Sequence, residues 1–317
     1  MRPVRCARRA GALLIAGVCA AHAPGIVPAQ ASFAGTNGQI AFTETFGARG
    51  FVINPDGSDR RQISDGVGFS LAYSPNGRRI AFALRPIGGG GSALYVMNAD
   101  GSNERQITGD PLNEDFDPSY SPDGRRLIFA RVRNGETLPD LWTVDLSSGR
   151  ERQLTNTPAA VETEPQWSPD GSVVVFDSDA REPGNTDVYT LGVNGRDLRR
   201  LTRAPGIDAQ PDFAPDGRSI VFASERTGNP DVFAMRVNGD RQTQLTRDPD
   251  ADILPAFSPD GTMIAFSAGR DGNPIPDAPP GYRYLDIFRM RVDGSRPRNL
   301  TATPDESEVS AAWQSVP

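Results

Sequence analysis

The chain has 317 residues, a formal net charge of −7, and basic residues that are all Arg. Its only histidine is His22 and its only cysteines are Cys6 and Cys19. Past its first thirty or so residues it therefore excludes Ser-His-Asp and Cys nucleophiles, a Schiff-base lysine and a His/Cys zinc site.

Residues 1–31 read as a secretory signal peptide. Arg2, Arg5, Arg8 and Arg9 make a basic start, Gly11 to Ala21 a short apolar core, and Ala29-Gln30-Ala31 offers small residues for cleavage. The core is too short to span a bilayer, so no transmembrane segment is expected in the mature chain. A lipid anchor through Cys19 fits poorly, because Val18 stands where a small residue is wanted. Processing removes four Arg and no acid, taking the formal charge to −11. That balance argues against a nucleic-acid partner. A secreted or periplasmic location is expected, with stability that does not depend on disulfides.

From about residue 32 to 317 one unit repeats. Thr36-Asn37-Gly38 leads to Phe42, Ser74-Pro75-Asn76-Gly77 to Phe82, and Ser121-Pro122-Asp123-Gly124 to Phe129. Ser168-Pro169-Asp170-Gly171 leads to Phe176, Ala214-Pro215-Asp216-Gly217 to Phe222, and Ser258-Pro259-Asp260-Gly261 to Phe266. The Phe positions are spaced by 40, 47, 47, 46 and 44 residues, a propeller-blade period. Pro and Gly supply the dihedrals of a tight turn, Asp bonds its local backbone, and the apolar run that follows reads as a strand buried on both faces. Each repeat continues with a variable loop, a strand such as Asp187-Val188-Tyr189 or Asp231-Val232-Phe233, an Asn-Gly or Asp-Gly turn, and a short strand ending in pairs such as Leu201-Thr202. Before each turn stands an aromatic residue, Tyr73, Tyr120, Trp167, Phe213 or Phe257, expected between blades. Trp313 fits the same place with no turn or apolar strand after it, and the missing remainder is at Gly38 to Phe42. The expected fold is an all-β, six-bladed β-propeller, closed by pairing of the N- and C-terminal strands within one blade.

Blade parity puts the two short turns on one face and the variable loops with the blade linkers on the other. On that second face, six residues before the turn, stand Asp115, Glu162, Asp208 and Asp252, with Glu308 equivalent in the closing strand and Gly68 in the remaining blade. The five carboxylates form an acidic ring at the channel mouth, reinforced by Asp117 and Glu164. Two readings stay open: each acid pairs with a loop Arg such as Arg226 or Arg270, or the ring binds a cation such as Ca²⁺ or a basic peptide. The long loop from Asp271 to Tyr284 carries Tyr282, Arg283 and Tyr284, candidate partner contacts. Asp248-Pro249-Asp250-Ala251-Asp252 alternates acids like a calcium loop but lacks the Gly and Glu that such a loop needs.

The repeat resembles that of the TolB family of WD40-like β-propellers, whose pattern is aspartate, proline, aromatic, Ser-Pro-Asp-Gly, apolar-Phe, Ser-x-Arg, Asp-Ile-Tyr, Asp-Gly, Leu-Thr. Residues from Ile207-Asp208 through Phe222, then Ser224-Glu225-Arg226 and Asp231-Val232-Phe233, carry the best copy. The resemblance covers the propeller part only, from about residue 36. It implies a non-enzymatic, monomeric propeller of the cell envelope, without a resident cofactor, that binds a protein partner such as an envelope lipoprotein in the manner of the Tol-Pal system. The alternative is a carbohydrate-binding or carboxylate-dependent glycoside-active propeller. Against an enzyme, no Asp-box typical of propeller sialidases is present. The His on which propeller-capped peptidases and pectate-type lyases depend is missing after residue 31.

Overall fold

The computed structural model describes residues 33–316, apart from 46–48, 67–69, 86–89 and 277–282. The signal-peptide reading of residues 1–31 lies outside them, as do Gly68 and Tyr282. Every regular element among the described residues is a strand, and the strands form six four-stranded antiparallel sheets. Blade 1 comprises Glu308–Val316, Thr36–Glu44, Arg49–Ile53 and Arg61–Ser64; blade 2 comprises Ala72–Tyr73, Arg79–Leu84, Ala93–Asn98 and Arg105–Gln106. Blade 3 is built from Glu114–Tyr120, Arg126–Val132, Asp140–Asp145 and Glu151–Gln153, and blade 4 from Glu162–Trp167, Val173–Ser178, Asp187–Gly192 and Arg199–Arg200. Blade 5 has Asp208–Phe213, Ser219–Ser224, Asp231–Arg236 and Thr243–Gln244, and blade 6 has Asp252–Phe257, Met263–Ala268, Asp286–Arg291 and Arg298–Asn299. The first strand of each blade packs on that of the next, and blade 1 meets both blade 6 and blade 2, so the ring is closed.

The repeated motif works as its residues dictate. In blade 3, Ser121 Oγ donates to Asp123 Oδ1 at 2.6 Å, and the Arg126 amide donates to Ser121 Oγ at 3.0 Å, locking the turn. Gly124 holds φ near +67°, a left-handed conformation that a Cβ disfavours. The following Leu127, Ile128 and Phe129 are fully buried, as a strand with a blade on each side requires. The aromatic residue ahead of each turn fills the space between blades. Trp167, for example, packs with Ile128, Ala130 and Leu141 of blade 3 and with Val174 and Phe176 of its own.

The Leu-Thr landmark differs slightly from expectation. In blade 4 the outermost strand ends at Arg200, one residue before Leu201. Leu201 donates its amide to Val188 O at 2.8 Å, and Thr202 Oγ1 accepts the Val188 amide at 2.9 Å. A side-chain hydroxyl thus replaces the ladder where the strand turns away, and blades 3, 5 and 6 repeat the bond with Thr155, Thr246 and Thr301.

Candidate functional site

The ring acids occupy the predicted place at or near the start of each innermost strand, but as buried and locally satisfied groups rather than as open carboxylates. Asp115, Glu162, Asp208, Asp252 and Glu308 are all buried. Arg131 forks onto Asp115 at 2.5 and 2.8 Å and also meets Glu151. Arg226 Nη2 donates to Asp208 Oδ2 at 2.8 Å, Arg270 Nη2 to Asp252 Oδ2 at 2.5 Å, and Arg60 Nη2 to Glu308 Oε1 at 2.7 Å. Each of these guanidinium groups also lies on an aromatic pair of its own blade. Arg131 sits 5.0 Å from both Phe129 and Trp142, and Arg226 lies 5.4 and 4.9 Å from Phe222 and Phe233. Arg270 covers Phe266 and Phe288, while Arg60 lies 4.2 Å from Phe51. Paired charge over an aromatic face is the compensation that a buried carboxylate needs. Burial still dominates: it pushes Asp252 up to about 6 and Glu308 up to about 7, against the opposing pull of their Arg partners.

Two residues further along each first strand the backbone turns left-handed at a non-glycine residue: Ser70, Asp117, Glu164, Gln210, Leu254 and Ser310 have φ between +53° and +63°. In blades 3 to 6 and at the seam the ladder slips at this point, and Pro118, Pro165, Pro211 and Pro255 follow directly in four of the bulges. Such residues cost of order 1–3 kcal/mol each and persist where their surroundings fix them. Here the preceding blade does the fixing. Asp117 Oδ2 accepts the Glu164 amide at 3.3 Å, Asp177 Oδ2 the Gln210 amide at 3.0 Å, and Gln210 Oε1 the Leu254 amide at 2.8 Å. Ser70 Oγ donates to Asp117 Oδ1 at 2.9 Å and accepts the Asp117 amide at 3.1 Å.

This belt gathers three carboxyl groups with no arginine among their partners: Asp117, Glu164 and Asp177. Asp177 escapes sequence reasoning because it follows Phe176 on the second strand, where blades 2, 3, 5 and 6 carry Ala83, Ala130, Ala223 and Ser267. That departure from the repeat was its only signal. All three are buried. Burial pushes Asp117 up to about 7, with the Asp177 charge adding to it. Burial, then the charges of Asp177 and Asp117, push Glu164 well above the usual carboxylate range; burial also raises Asp177, against the hydrogen bonds from Glu164 and Thr163. The interaction between the two favours a protonated Glu164 and an ionised Asp177.

Among the loop residues, Arg283 Nε donates to Asp250 Oδ1 at 3.1 Å and Nη1 to Gly272 O at 2.9 Å. Tyr284 is half-buried and its amide donates to Asn273 O, while Asn273 donates to Pro304 O. The base of the long loop is thus pinned to the last blade linker. The acids of residues 248–252 turn to arginines: Asp248 and Asp252 to Arg270, and Asp250 to Arg283. Among the described residues no group of three or more His, Cys, Asp or Glu is arranged to hold a metal ion.

Known structures share this architecture. TolB from Acinetobacter baumannii superposes with a TM-score of 0.70 at 23% identity, over 87% of this chain and 66% of that one, so the chain spans slightly less than two thirds of that protein. The putative TolB from Agrobacterium tumefaciens gives 0.64 at 20% identity, over 87% of this chain and 98% of that one. A chain of the nidogen/laminin complex gives 0.68 at 9% identity, over 88% of this chain and 98% of that one. At these identities the likeness is one of fold. No curated protein matches the sequence. The sequence model of the TolB beta propeller domain matches residues 115–183 and 180–273, half of the chain, and the chain belongs to the TolB β-propeller family.

Proposed function

We propose that the protein is a non-enzymatic, exported propeller that captures a protein partner at its channel mouth, with a basic residue of the partner meeting Asp117, Glu164 and Asp177. The observation that carries this reading is that these three carboxyls lie together without an arginine, while four of the five ring acids above them each have one. The repeat thus shows how this chain neutralises a buried acid for structure alone, and the trio departs from that pattern. An incoming cation opposes the upward push on Asp117 and Glu164 and favours their ionised forms, so capture strengthens as pH rises. The loop residues Arg283 and Tyr284 serve as secondary contacts, together with Tyr282, which lies outside the described residues. Family membership supports an envelope location and a protein partner, envelope lipoproteins being the first to try; a monomer is the expected state.

The test is capture from a cell-envelope extract by the full chain and by a double variant, Asp117→Asn with Glu164→Gln, at pH 6 and pH 8. Wild type should recover a partner more strongly at pH 8 and lose it at high salt, and the variant should recover little at either pH. Equal recovery by both proteins would remove the channel trio as the binding site.

A further inference from the structure

The arginine slot recurs around the ring, and one blade departs from it. Blades 1, 3, 5 and 6 each combine a ring acid, an aromatic pair and an arginine that joins them: Glu308 with Arg60, Asp115 with Arg131, Asp208 with Arg226, and Asp252 with Arg270. These arginines come from three sequence positions. Arg131 stands two residues after the strand's Phe, Arg226 and Arg270 stand four after it, and Arg60 comes from the hairpin before the outermost strand. In blade 2 the ring acid is replaced by Gly68, and its stacked pair Phe82 and Tyr95 carries no arginine, so acid and cation are lost together.

Blade 4 keeps the acid and loses the cation. Its three equivalent positions hold Ser178, Ala180 and Leu198, none able to carry charge. Its aromatic pair is intact, with Phe176 and Tyr189 stacked at 5.8 Å. All five of these residues, with Glu162, line one cavity of about 250 Å³ between blades 3 and 4. Glu162 is 4% exposed; Oε1 accepts from Thr157 Oγ1 at 2.6 Å, and Oε2 is buried with no hydrogen-bond partner. The buried Tyr189 hydroxyl also has none. Leu198, 59% exposed, stands at the rim.

We propose that blade 4 is a receptor for an arginine side chain of a protein partner, its guanidinium lying on Phe176 and Tyr189 and paired with Glu162 as this chain's own arginines are in four other blades. The planar fork suits this place better than an ammonium, because it stacks and hydrogen-bonds a carboxylate at once. The exposed Leu198 gives the chain carrying that arginine an apolar edge to cover. Arg181, Arg200 and Arg203 surround the Tyr189 end; Arg200 is tied to Asp187 at 2.5 Å, and none of the three pairs with Glu162. Burial raises the Glu162 carboxyl, Asp140 adds to it, and the Thr155 and Thr157 hydroxyls oppose it; a cation in the slot opposes it further. The inference is independent of the channel trio, since it uses another acid, in a cavity that none of the three lines.

The full chain is titrated by calorimetry with Nα-acetyl-arginine N-methylamide and with the isosteric, uncharged citrulline analogue. Saturable arginine binding is expected, at least about tenfold tighter than citrulline, with a similar loss in Glu162→Gln. Ala180→Arg, at an exposed position, supplies the side chain that blades 5 and 6 use; it should raise the melting temperature and abolish probe binding. If Glu162→Gln fails to fold, Ala180→Arg decides alone. No binding by wild type, equal binding of the two probes, or undiminished binding by Ala180→Arg would each overturn the proposal.

Discussion

Ile40 and Trp313 are register partners across the seam where the first and last described strands meet. Trp313 packs with Ile53 of its own blade and with Ala256, Ala265, Ile287 and Leu300 of blade 6, so one side chain fills both the ladder and the blade interface. Trp313→Ala should cost about 3–5 kcal/mol, read from urea unfolding. Deleting the last twelve residues exposes two strand edges as well, and should abolish cooperative unfolding or shift its midpoint far more than a surface substitution does.

The ring acids are predicted to be structural. Asp208→Asn leaves Arg226 on its aromatic pair without its carboxylate, and should cost about 3 kcal/mol in chemical denaturation. The paired replacement Asp208→Leu with Arg226→Met removes both charges and should recover most of that loss. A double variant as unstable as the single one would show that the pair does not behave as a unit.

How much of this was legible follows from spacing. Ser-Pro-Asp-Gly, the apolar strand and the aromatic residue ahead of the turn stand at nearly fixed offsets, so turn chemistry and two-faced burial alone define the blades. The position of the ring acids was legible for the same reason. Arg226 and Arg270 were legible as partners; Arg60 and Arg131 were not, because they reach the same place from two other offsets, and only packing shows that all four converge. Asp177 and Ala180 were missed together: both lie where blade 4 breaks the repeat, at Asp for Ala and at Ala for Arg. The Pro after Asp117, Glu164, Gln210 and Leu254 was visible, but its meaning as a bulge marker needed the ladder slip.

Stability should fall as pH rises from about 4 to 7. Unfolded, Asp and Glu carboxyls release their protons near pH 4. Folded, Asp252 keeps its proton to about 6, and Asp117 and Glu308 keep theirs to about 7. The folded chain thus binds more protons than the unfolded one across this window, and the stabilisation present below pH 4 is lost through it. Turn acids shifted the other way, such as Asp145 and Asp170, oppose this at lower pH and place the optimum on the acid side of neutral. Melting temperatures measured from pH 5 to pH 8 should decline. Glu164→Gln, whose amide still donates to Asp177 without titrating, should flatten the decline and raise the value at pH 8.

The central claim is a division of labour between two sets of acids, the ring acids and the trio Asp117, Glu164 and Asp177. The most direct measurement compares the ring triple Asp115→Asn, Asp208→Asn, Asp252→Asn with the channel triple Asp117→Asn, Glu164→Gln, Asp177→Asn, recording melting temperature and recovery of the partner from envelope extract for each. The ring triple should melt well below wild type and, below its transition, recover the partner as wild type does. The channel triple should melt at or above wild type at pH 8 and recover little. A channel triple that captures the partner fully, with a ring triple that folds normally and fails to capture, would contradict the assignment.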